Sequence, residues 1–277
     1  MRRVLLLSLG ALLTLHAVRA QDLAGGNMWD QDRDNFVFKV KQIDEFLERF
    51  NNEESTLLNE QFQRTNAGRT PSRRQMLSAL FNQADDGWDP VNVQRFLAQV
   101  DNDDRPARLD FQDEDWYATA DCNVLYAGEA RKVQLTLKIE KQPDGRSLKW
   151  VIVGARGDFL LLPDQTDPTT SLTPYSHGTD FMNLGQALLD MDNVRNYLPN
   201  TFEASALTLF IYGVRTGQVK FTQVNRVRYH FLQVEDWVFT VEQFERSTQN
   251  SGWLISRLAP ADNTGKNNYR RYVLHID

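Results

Sequence analysis

The spacing of apolar residues changes along this chain from a helical period to a strand period, and this change most restricts the possible folds. In the first third of the chain, apolar side chains recur every three or four positions, as in Ile43, Phe46 and Phe50. From Val133 to Ile139 they alternate with polar residues instead. The first pattern buries one side of a helix, and the second buries one face of an antiparallel strand. The chain therefore predicts an α+β fold with helices packed on a mainly antiparallel sheet, and not a doubly wound parallel sheet.

Helices are predicted before each of two sets of strands. The predicted helical stretches are Phe36–Phe50, Leu57–Phe62, a helix capped by Ser72, a helix opened by Asp89-Pro90, and Thr179–Tyr197. Ser72 and Asp89 are residue types that accept hydrogen bonds from the first free N–H groups of a helix, and Pro90 suits the first helical position.

The predicted strands fall into an early and a late group. The early group is Trp116–Tyr126, Val133–Ile139 and Leu148–Val153, and the late group is Leu207–Ile211, Val227–Phe231, Trp237–Phe244, Trp253–Leu258 and Tyr269–Ile276. A Pro-rich surface loop over residues 157–176 separates the groups, and Asn250-Ser251-Gly252 is predicted as a turn. Because no flexible linker intervenes, a single domain over residues 35–277 is preferred to two subdomains split near residue 165.

The start of the chain has the parts of a secretory signal peptide. Arg2 and Arg3 precede the uncharged, mostly apolar stretch Val4–Ala17, and Ala20 supplies a small residue before the cleavage point. This pattern predicts cleavage after Ala20 and an exported protein with a loose, polar lead-in over residues 21–34. The apolar stretch is shorter than the roughly 20 residues that span a bilayer, so no membrane anchor is predicted.

Charge and cysteine content limit the cellular compartments and the binding partners that this chain would have. Removing residues 1–20 takes away three arginines and no acid, which lowers the net charge from −6 to −9. Such an acidic chain repels phosphate backbones, so nucleic-acid binding is disfavoured. Cys122 is the only cysteine, so no internal disulfide forms, and a chain of this length buries a core without one. These features favour the bacterial periplasm or the extracellular space, with Cys122 as a buried, inert thiol in a strand.

The late strands also carry a resemblance to a known fold. Trp237–Arg246 is a long aromatic strand, and Asn250–Leu258 adds a polar turn and a strand with Trp253. These segments resemble the closing strands of the nuclear-transport-factor-2-like (NTF2-like, cystatin-like) fold, and Phe36–Phe50 is similar to its first helix. The chain also resembles exported bacterial proteins of the Bacteroidetes type. The resemblance implies helices on a curved antiparallel sheet, and it leaves function open because this fold hosts enzymes, binding modules and adaptors.

Four residues are candidates for ligand binding. Arg226, Arg228 and His230 alternate along one predicted strand, so they share one face of the sheet. They predict either a solvated sheet face or the cationic wall of a pocket for a carboxylate or phosphate group. Trp88 stands beside an Asp-rich loop, where it would stack on a sugar ring or cover the sheet edge.

Motifs for metal binding and catalysis are incomplete. Asp30, Asp32 and Asp34 begin like a calcium loop, but Asn35 replaces its glycine and Lys41 its final glutamate. The histidines lack zinc-ligand spacing, and the sequence has no nucleophile elbow, phosphate loop or dinucleotide fingerprint. No cofactor, metal or catalytic residue is therefore predicted.

Three functions remain open at this point. The leading hypothesis is an exported, non-enzymatic protein that binds an unknown envelope ligand or protein in the concavity of the sheet. A periplasmic hydrolase or isomerase using an Asp or His in the same concavity is the first alternative, and a structural component of a cell-envelope apparatus is the second. A buried, unpaired Asp or His in a deep pocket favours the enzyme, whereas a broad exposed apolar patch favours a protein partner.

Overall fold

The structure is a computed structural model and describes residues 39–40, 42–53, 72–143, 147–161, 184–189, 191–246 and 250–276. All of these residues lie in one compact unit. The predicted signal peptide, the lead-in over residues 21–34 and the predicted helix at Leu57–Phe62 lie outside the described residues.

The described residues form an α+β fold, as the sequence predicts. The strands are β1 (Lys39–Val40), β2 (Trp116–Tyr126), β3 (Glu129–Lys141), β4 (Leu148–Arg156), β5 (Val219–Phe231), β6 (Trp237–Phe244) and β7 (Ser251–Pro260). The helices are α1 (Ile43–Asn51), α2 (Arg73–Ala79), α3 (Pro90–Val100), α4 (Leu184–Ala187), α5 (Ala206–Thr216) and α6 (Asn263–Tyr272), with 3₁₀ turns at Asp158–Leu160 and Met191–Tyr197.

One sheet contains all seven of these strands, in the order β1-β7-β6-β5-β2-β3-β4. Strands β2–β4 and β5–β7 are two antiparallel meanders, which the antiparallel pairing of β2 with β5 joins at the centre. The two-residue strand β1 pairs in parallel with β7. The sheet thus combines strands from both sides of residue 165, and register shifts in the β2–β5, β3–β4 and β6–β7 ladders bend it locally.

Two of the predicted helix caps are confirmed. The Ser72 hydroxyl accepts a hydrogen bond from the Gln75 N–H at 3.2 Å, and the Gln75 side chain accepts one from the Ser72 N–H at 3.0 Å. This reciprocal capping box begins α2. Asp89 caps α3 by accepting from the Val91 N–H at 2.9 Å, with Pro90 at the first helical position.

Helices α1–α3 cover one face of the sheet through an aromatic core. Phe46 stacks on Phe231 of β5 at 5.8 Å between ring centroids, and Phe50 stacks on Phe239 of β6 at the same distance. Phe96 of α3 packs edge-on against Phe239 at 5.6 Å. All of these rings are buried, so burial of apolar area holds α1 and α3 on this side of the sheet, and α2 adds the buried Leu77.

Helix α6 and the residues after it cover the opposite face. Tyr269 of α6 reaches His230 of β5, which is the neighbour of Phe231 in the strand. Because successive strand residues point to opposite faces, α6 lies across the sheet from α1–α3. Leu274 packs there with Tyr117, Leu232 and Val238.

Two late strands of the prediction are wrong, because both are helices. Leu207–Ile211 lies in α5, which Ser205 caps through the Thr208 N–H at 3.2 Å and which ends at Gly217 in the left-handed conformation (φ 76°). Apolar residues occur almost all round α5, so the alternation at 207, 209 and 211 imitates a strand. The first half of the last predicted strand, residues 269–272, lies in α6, which Asp262 caps through the Gly265 N–H at 2.7 Å, and residues 273–276 follow the helix without forming a strand.

Three smaller differences concern element ends. Val40 lies in β1 and not in the first helix, because α1 begins only at Ile43. Within the predicted helix Thr179–Tyr197, the described residues form the single turn α4 and a 3₁₀ turn. Ser251 and Gly252 begin β7 and are not a turn.

Candidate functional site

Strand β5 places Arg226, Arg228 and His230 on the sheet face that α6 partly covers. The register sets them beside Asp121, Thr119 and Tyr117 of β2, respectively. The predicted alternation with Val227, Tyr229 and Phe231 is therefore present, but α6 buries His230, so this end of the face is not solvated.

His230 is fully engaged within the protein. Its Nε2 atom lies 2.8 Å from the Thr119 hydroxyl, and its Nδ1 atom lies 2.8 Å from the Tyr269 hydroxyl. Burial, with smaller contributions from Arg228 and Arg257, lowers the pKa of His230 from 6.5 to about 3. The imidazole is neutral at neutral pH and uses both nitrogens to join the sheet to α6.

Arg228 and Asp121 form an ion pair across the β2–β5 ladder. The Gln134 side chain of β3 also donates to the Asp121 carboxylate, at 2.9 Å. Diagonal pairs of this kind fix neighbouring strands relative to each other. Side chains of both neighbouring strands, β3 and β5, therefore bond to the Asp121 carboxylate.

Arg226 is tied to the buried carboxylate of Glu242 on β6. The side chain of Glu242 is only 7% exposed, whereas that of Arg226 is 57% exposed. The Ser256 hydroxyl of β7 donates a second hydrogen bond to Glu242, at 2.8 Å. Glu242 thus anchors one side of the Arg226 guanidinium, and the rest of that group faces solvent.

Arg226 and Asp121 also line a cleft of about 1120 Å³. Three further charged side chains line this cleft and were not among the four predicted candidates. They are Lys132 of β3, Arg156 at the end of β4, and Asp158. Its other lining residues include the apolar Val133, Ala155, Leu161 and Ala206. The cleft therefore combines polar groups with apolar surface, as small-molecule sites do.

The lining charges favour an anion. Lys132, Arg156 and Arg226 outnumber the acids Asp121 and Asp158 by one, in a chain whose net charge is −6. Among the described residues, neither Lys132 nor Arg156 forms an ion pair with an acid. These two cations are thus free to meet an anionic group from outside.

His275 orients Arg156 at the cleft. Arg156 Nη1 lies 2.9 Å from His275 Nε2, and because a guanidinium only donates, Nε2 is the acceptor of this hydrogen bond. Burial and the nearby Arg156 charge lower the pKa of His275, which favours the neutral ring. The second ring nitrogen, Nδ1, then carries the hydrogen and is a donor.

Trp88 lies apart from the other three candidates. Its indole N–H donates to the Asn82 carbonyl at 2.8 Å, and its ring packs edge-on against Phe81 at 5.1 Å. Phe81 itself forms an isolated bridge with Ile255 of β7 and contacts Phe96 of the aromatic core. The structure therefore brings Trp88 to the helical layer near β7, and its role in sugar stacking stays a prediction.

Sequence reasoning missed Arg156, Lys132 and His275. Arg156 and His275 lie 119 positions apart and meet only because the chain after α6 returns to β4. No local motif connects them, so spacing gives no signal for this pair. Groups of three or more His, Cys, Asp or Glu side chains able to hold a metal ion are absent from the described part of the chain.

No protein-family model, curated protein or solved structure matches this chain. Within the described ranges, no helix has the length and apolarity needed to cross a membrane.

Proposed function

We propose that this protein is an exported, non-enzymatic binding protein that holds a small organic anion, a carboxylate or a phosphate with an apolar part, in the cleft beside β4. The observation that carries the proposal is the pair Lys132 and Arg156, two cations without acidic partners among the described residues, on the wall of a cleft of about 1120 Å³.

Arginine chemistry supports this ligand class. A guanidinium donates parallel hydrogen bonds to a carboxylate or phosphate, and such charge-assisted bonds are roughly twice as strong as neutral ones. The contact with His275 restricts the Arg156 side chain, so less rotamer freedom is lost when the ligand binds. Leu161, which is 72% exposed, and the half-buried Ala206 offer the apolar part of the ligand a nearby surface.

Binding is favoured over catalysis by the state of the titratable groups nearby. A general base needs an acceptor within hydrogen-bond reach of the ligand. Both nitrogens of His230 bond to hydroxyls, and Asp121 bonds to Arg228 and Gln134. His230 and Asp121 therefore stabilise the sheet, and among the charged groups that line the cleft, Lys132 and Arg156 are the ones that attract an anion.

Export and fold family are further parts of the proposal. The basic start, apolar stretch and small residue at Ala20 support a secreted chain whose mature form begins at Gln21, so the anion would come from the cell envelope or the medium. The consecutive antiparallel strands β6 and β7, with Trp237 and Trp253, support an elaborated NTF2-like arrangement. Mass spectrometry of the secreted protein tests the first point, since a mature N-terminus other than Gln21 contradicts it.

Three probes of equal chain length test the cleft: hexanoate, hexyl phosphate and hexylamine, each titrated calorimetrically into the full chain. We expect one of the two anions to bind at least tenfold more tightly than the amine. Arg156→Ala weakens that binding by about tenfold or more, because a hydrogen bond to a charged group contributes about 1.5–3 kcal/mol. Arg105→Ala, an exposed arginine outside the cleft, is the matched control and leaves binding unchanged. Equal affinity for amine and anions, or an unaffected Arg156→Ala variant, overturns the proposal.

A further inference from the structure

Strand β5 has an open edge over more than half of its length. It pairs with β2 from Val219 to Phe231, but it pairs with β6 only from Arg228 to Phe231. On the β6 side, no other strand among the described residues pairs with β5 before Arg228. A row of backbone N–H and C=O groups is therefore available there to another extended chain.

The open edge begins where β5 separates from β6. A cavity of about 350 Å³ lies at this point, lined by Val224, Arg226 and Tyr229 of β5, Gln243 of β6 and Trp253 of β7, among others. The ion pair between Arg226 and Glu242 links β5 to β6 at the start of this gap. An added strand thus has a defined place beside Lys220–Val227.

Strand β5 has two β-bulges, and both lie on its pairing with β2, so the edge of β5 on the β6 side stays free. The register with β2 skips Thr222 and Asn225, so each is the extra residue of a bulge. The Thr222 hydroxyl donates to the Asn123 carbonyl at 2.8 Å, and the Asn225 amide donates to the Asn123 side chain at 2.8 Å. Both side chains therefore bond back to β2.

The register also gives the open edge two different faces. Phe221 pairs with Val124 and Val224 with Cys122, which both point into the core. Phe221 and Val224 share that face, and they are 52% and 46% exposed. Lys220, Gln223 and Arg226 lie on the opposite face.

The charge of this edge decides which partner fits. Lys220–Val227 contains no acid and two cations: Lys220, and Arg226, which pairs with Glu242 on one side but keeps a side chain that is 57% exposed. In antiparallel pairing with a second copy centred on Gln223, Lys220 would face Arg226 of that copy, and like charges directly opposite are unfavourable. An extended peptide with acidic side chains on one face and apolar side chains on the other fits this edge. Its acids would lie beside Lys220 and Arg226, and its apolar side chains beside Phe221 and Val224.

We propose that Lys220–Val227 is a docking edge that binds such an acidic, apolar-alternating peptide segment of another protein by strand addition. The peptide's backbone hydrogen bonds give affinity, and its alternating side chains give specificity. This docking edge shares Asn225 and Arg226 with the lining of the anion cleft proposed above, but Lys220 and the backbone groups of the edge do not belong to that cleft.

Fluorescence anisotropy with the full chain tests the docking edge. The probe is a fluorescein-labelled eight-residue peptide that alternates Val and Glu. One comparison peptide replaces Glu with Lys, and another keeps the sequence but carries N-methyl groups on alternate backbone amides. We expect the Val/Glu peptide to bind at least tenfold more tightly than either, because the Lys peptide carries the opposite charge and the N-methylated peptide lacks hydrogen-bond donors.

Paired variants locate the binding to β5. Lys220→Glu weakens binding of the Val/Glu peptide about fivefold or more, since an opposite-charge pair becomes a like-charge pair. Lys149→Glu makes the same charge change on β4, which lies at the far end of the sheet, and leaves the affinity unchanged. Thermal denaturation of both variants confirms that each remains folded.

Three results overturn the docking edge: equal binding of the N-methylated peptide, equal weakening by Lys149→Glu, or no protection of the Lys220–Val227 amides from hydrogen exchange in the complex. Saturating hexanoate is expected to leave the peptide bound. The peptide experiment therefore succeeds or fails separately from the anion titrations.

Discussion

His230 Nδ1 and the Tyr269 hydroxyl lie 2.8 Å apart, and this contact connects the middle of the sheet to helix α6. The other ring nitrogen of His230 reaches Thr119, and the Tyr269 hydroxyl also lies 3.3 Å from the Thr240 hydroxyl. Three strands and one helix thus share a single polar cluster. Because buried polar groups are costly when unpaired, this cluster fixes where α6 docks.

We expect Tyr269→Phe to lower the free energy of unfolding by about 1–3 kcal/mol, because it leaves a buried imidazole nitrogen without its partner. Urea denaturation followed by tryptophan fluorescence measures the change. Tyr272→Phe alters the same helix at an exposed side chain and is the control. A loss no larger than that of the control contradicts the role of the hydroxyl.

His230 makes the free energy of unfolding depend on pH. Burial, then Arg228 and Arg257, hold the pKa of its folded form at about 3, against 6.5 for the unfolded form. Between these values the unfolded chain binds a proton that the folded chain does not. The free energy of unfolding therefore falls as pH decreases from about 6.5 towards 3, by up to about 1.4 kcal/mol per pH unit from this residue.

Comparison of the wild-type chain with His230→Gln isolates that contribution. Denaturation is measured at intervals from pH 7 to pH 4, and the wild-type stability should fall more steeply with acid than that of the variant. Parallel profiles would show that His230 gains its proton equally in both states.

A substitution at Gly213 tests the packing of α5 on β5. A Cβ atom at this position would lie 2.7 Å from Val219 Cγ2, and the Val219 side chain is buried and stiff. Alanine gains about 1 kcal/mol of helix propensity over glycine, but overpacking costs about 1–3 kcal/mol. We expect Gly213→Ala to destabilise the protein by about 1 kcal/mol in urea denaturation. Gly185→Ala, where an added Cβ meets no atom within 4 Å, should show no loss.

Cys122 should react only when the protein unfolds. It is buried on β2, and burial followed by the charge of Asp121 raises the pKa of its thiol. Since the thiolate is the reactive form, labelling by a disulfide reagent at pH 8 should be at least a hundredfold slower than in urea. A Cys122→Ser chain with Lys149→Cys, which carries an exposed thiol, should label rapidly without urea. Fast labelling of native Cys122 would contradict its burial.

The sequence predicts the parts of the fold in which local pattern and burial agree. Strand β2 has its predicted limits, and α2 and α3 begin at their predicted caps, because alternation and capping are local properties. The sequence predictions for the residues of α5 and α6 are wrong for opposite reasons. The apolar residues of α5 lie on exposed as well as buried sides, and α6 is polar, with Lys266 bonded to the Val234 carbonyl at 2.8 Å and Tyr269 bonded to His230.

The candidate site was predictable along one strand only. Alternation places Arg226, Arg228 and His230 together, because the period of a strand is two. It does not reveal that Glu242 and Asp121 neutralise the two arginines, or that Arg156 joins the same cleft. These neighbours come from three other strands, and their register is a tertiary property.

The central pairing of β2 with β5 also governs the order in which the chain can fold. Within each meander the paired strands follow closely in sequence, so both meanders can form from local contacts. Thr119 and His230, by contrast, lie 111 positions apart, and joining them requires closure of the whole intervening loop. The middle of the sheet therefore carries a larger loop-closure cost than either meander, and each meander on its own would leave the edge of one central strand, β2 or β5, unpaired.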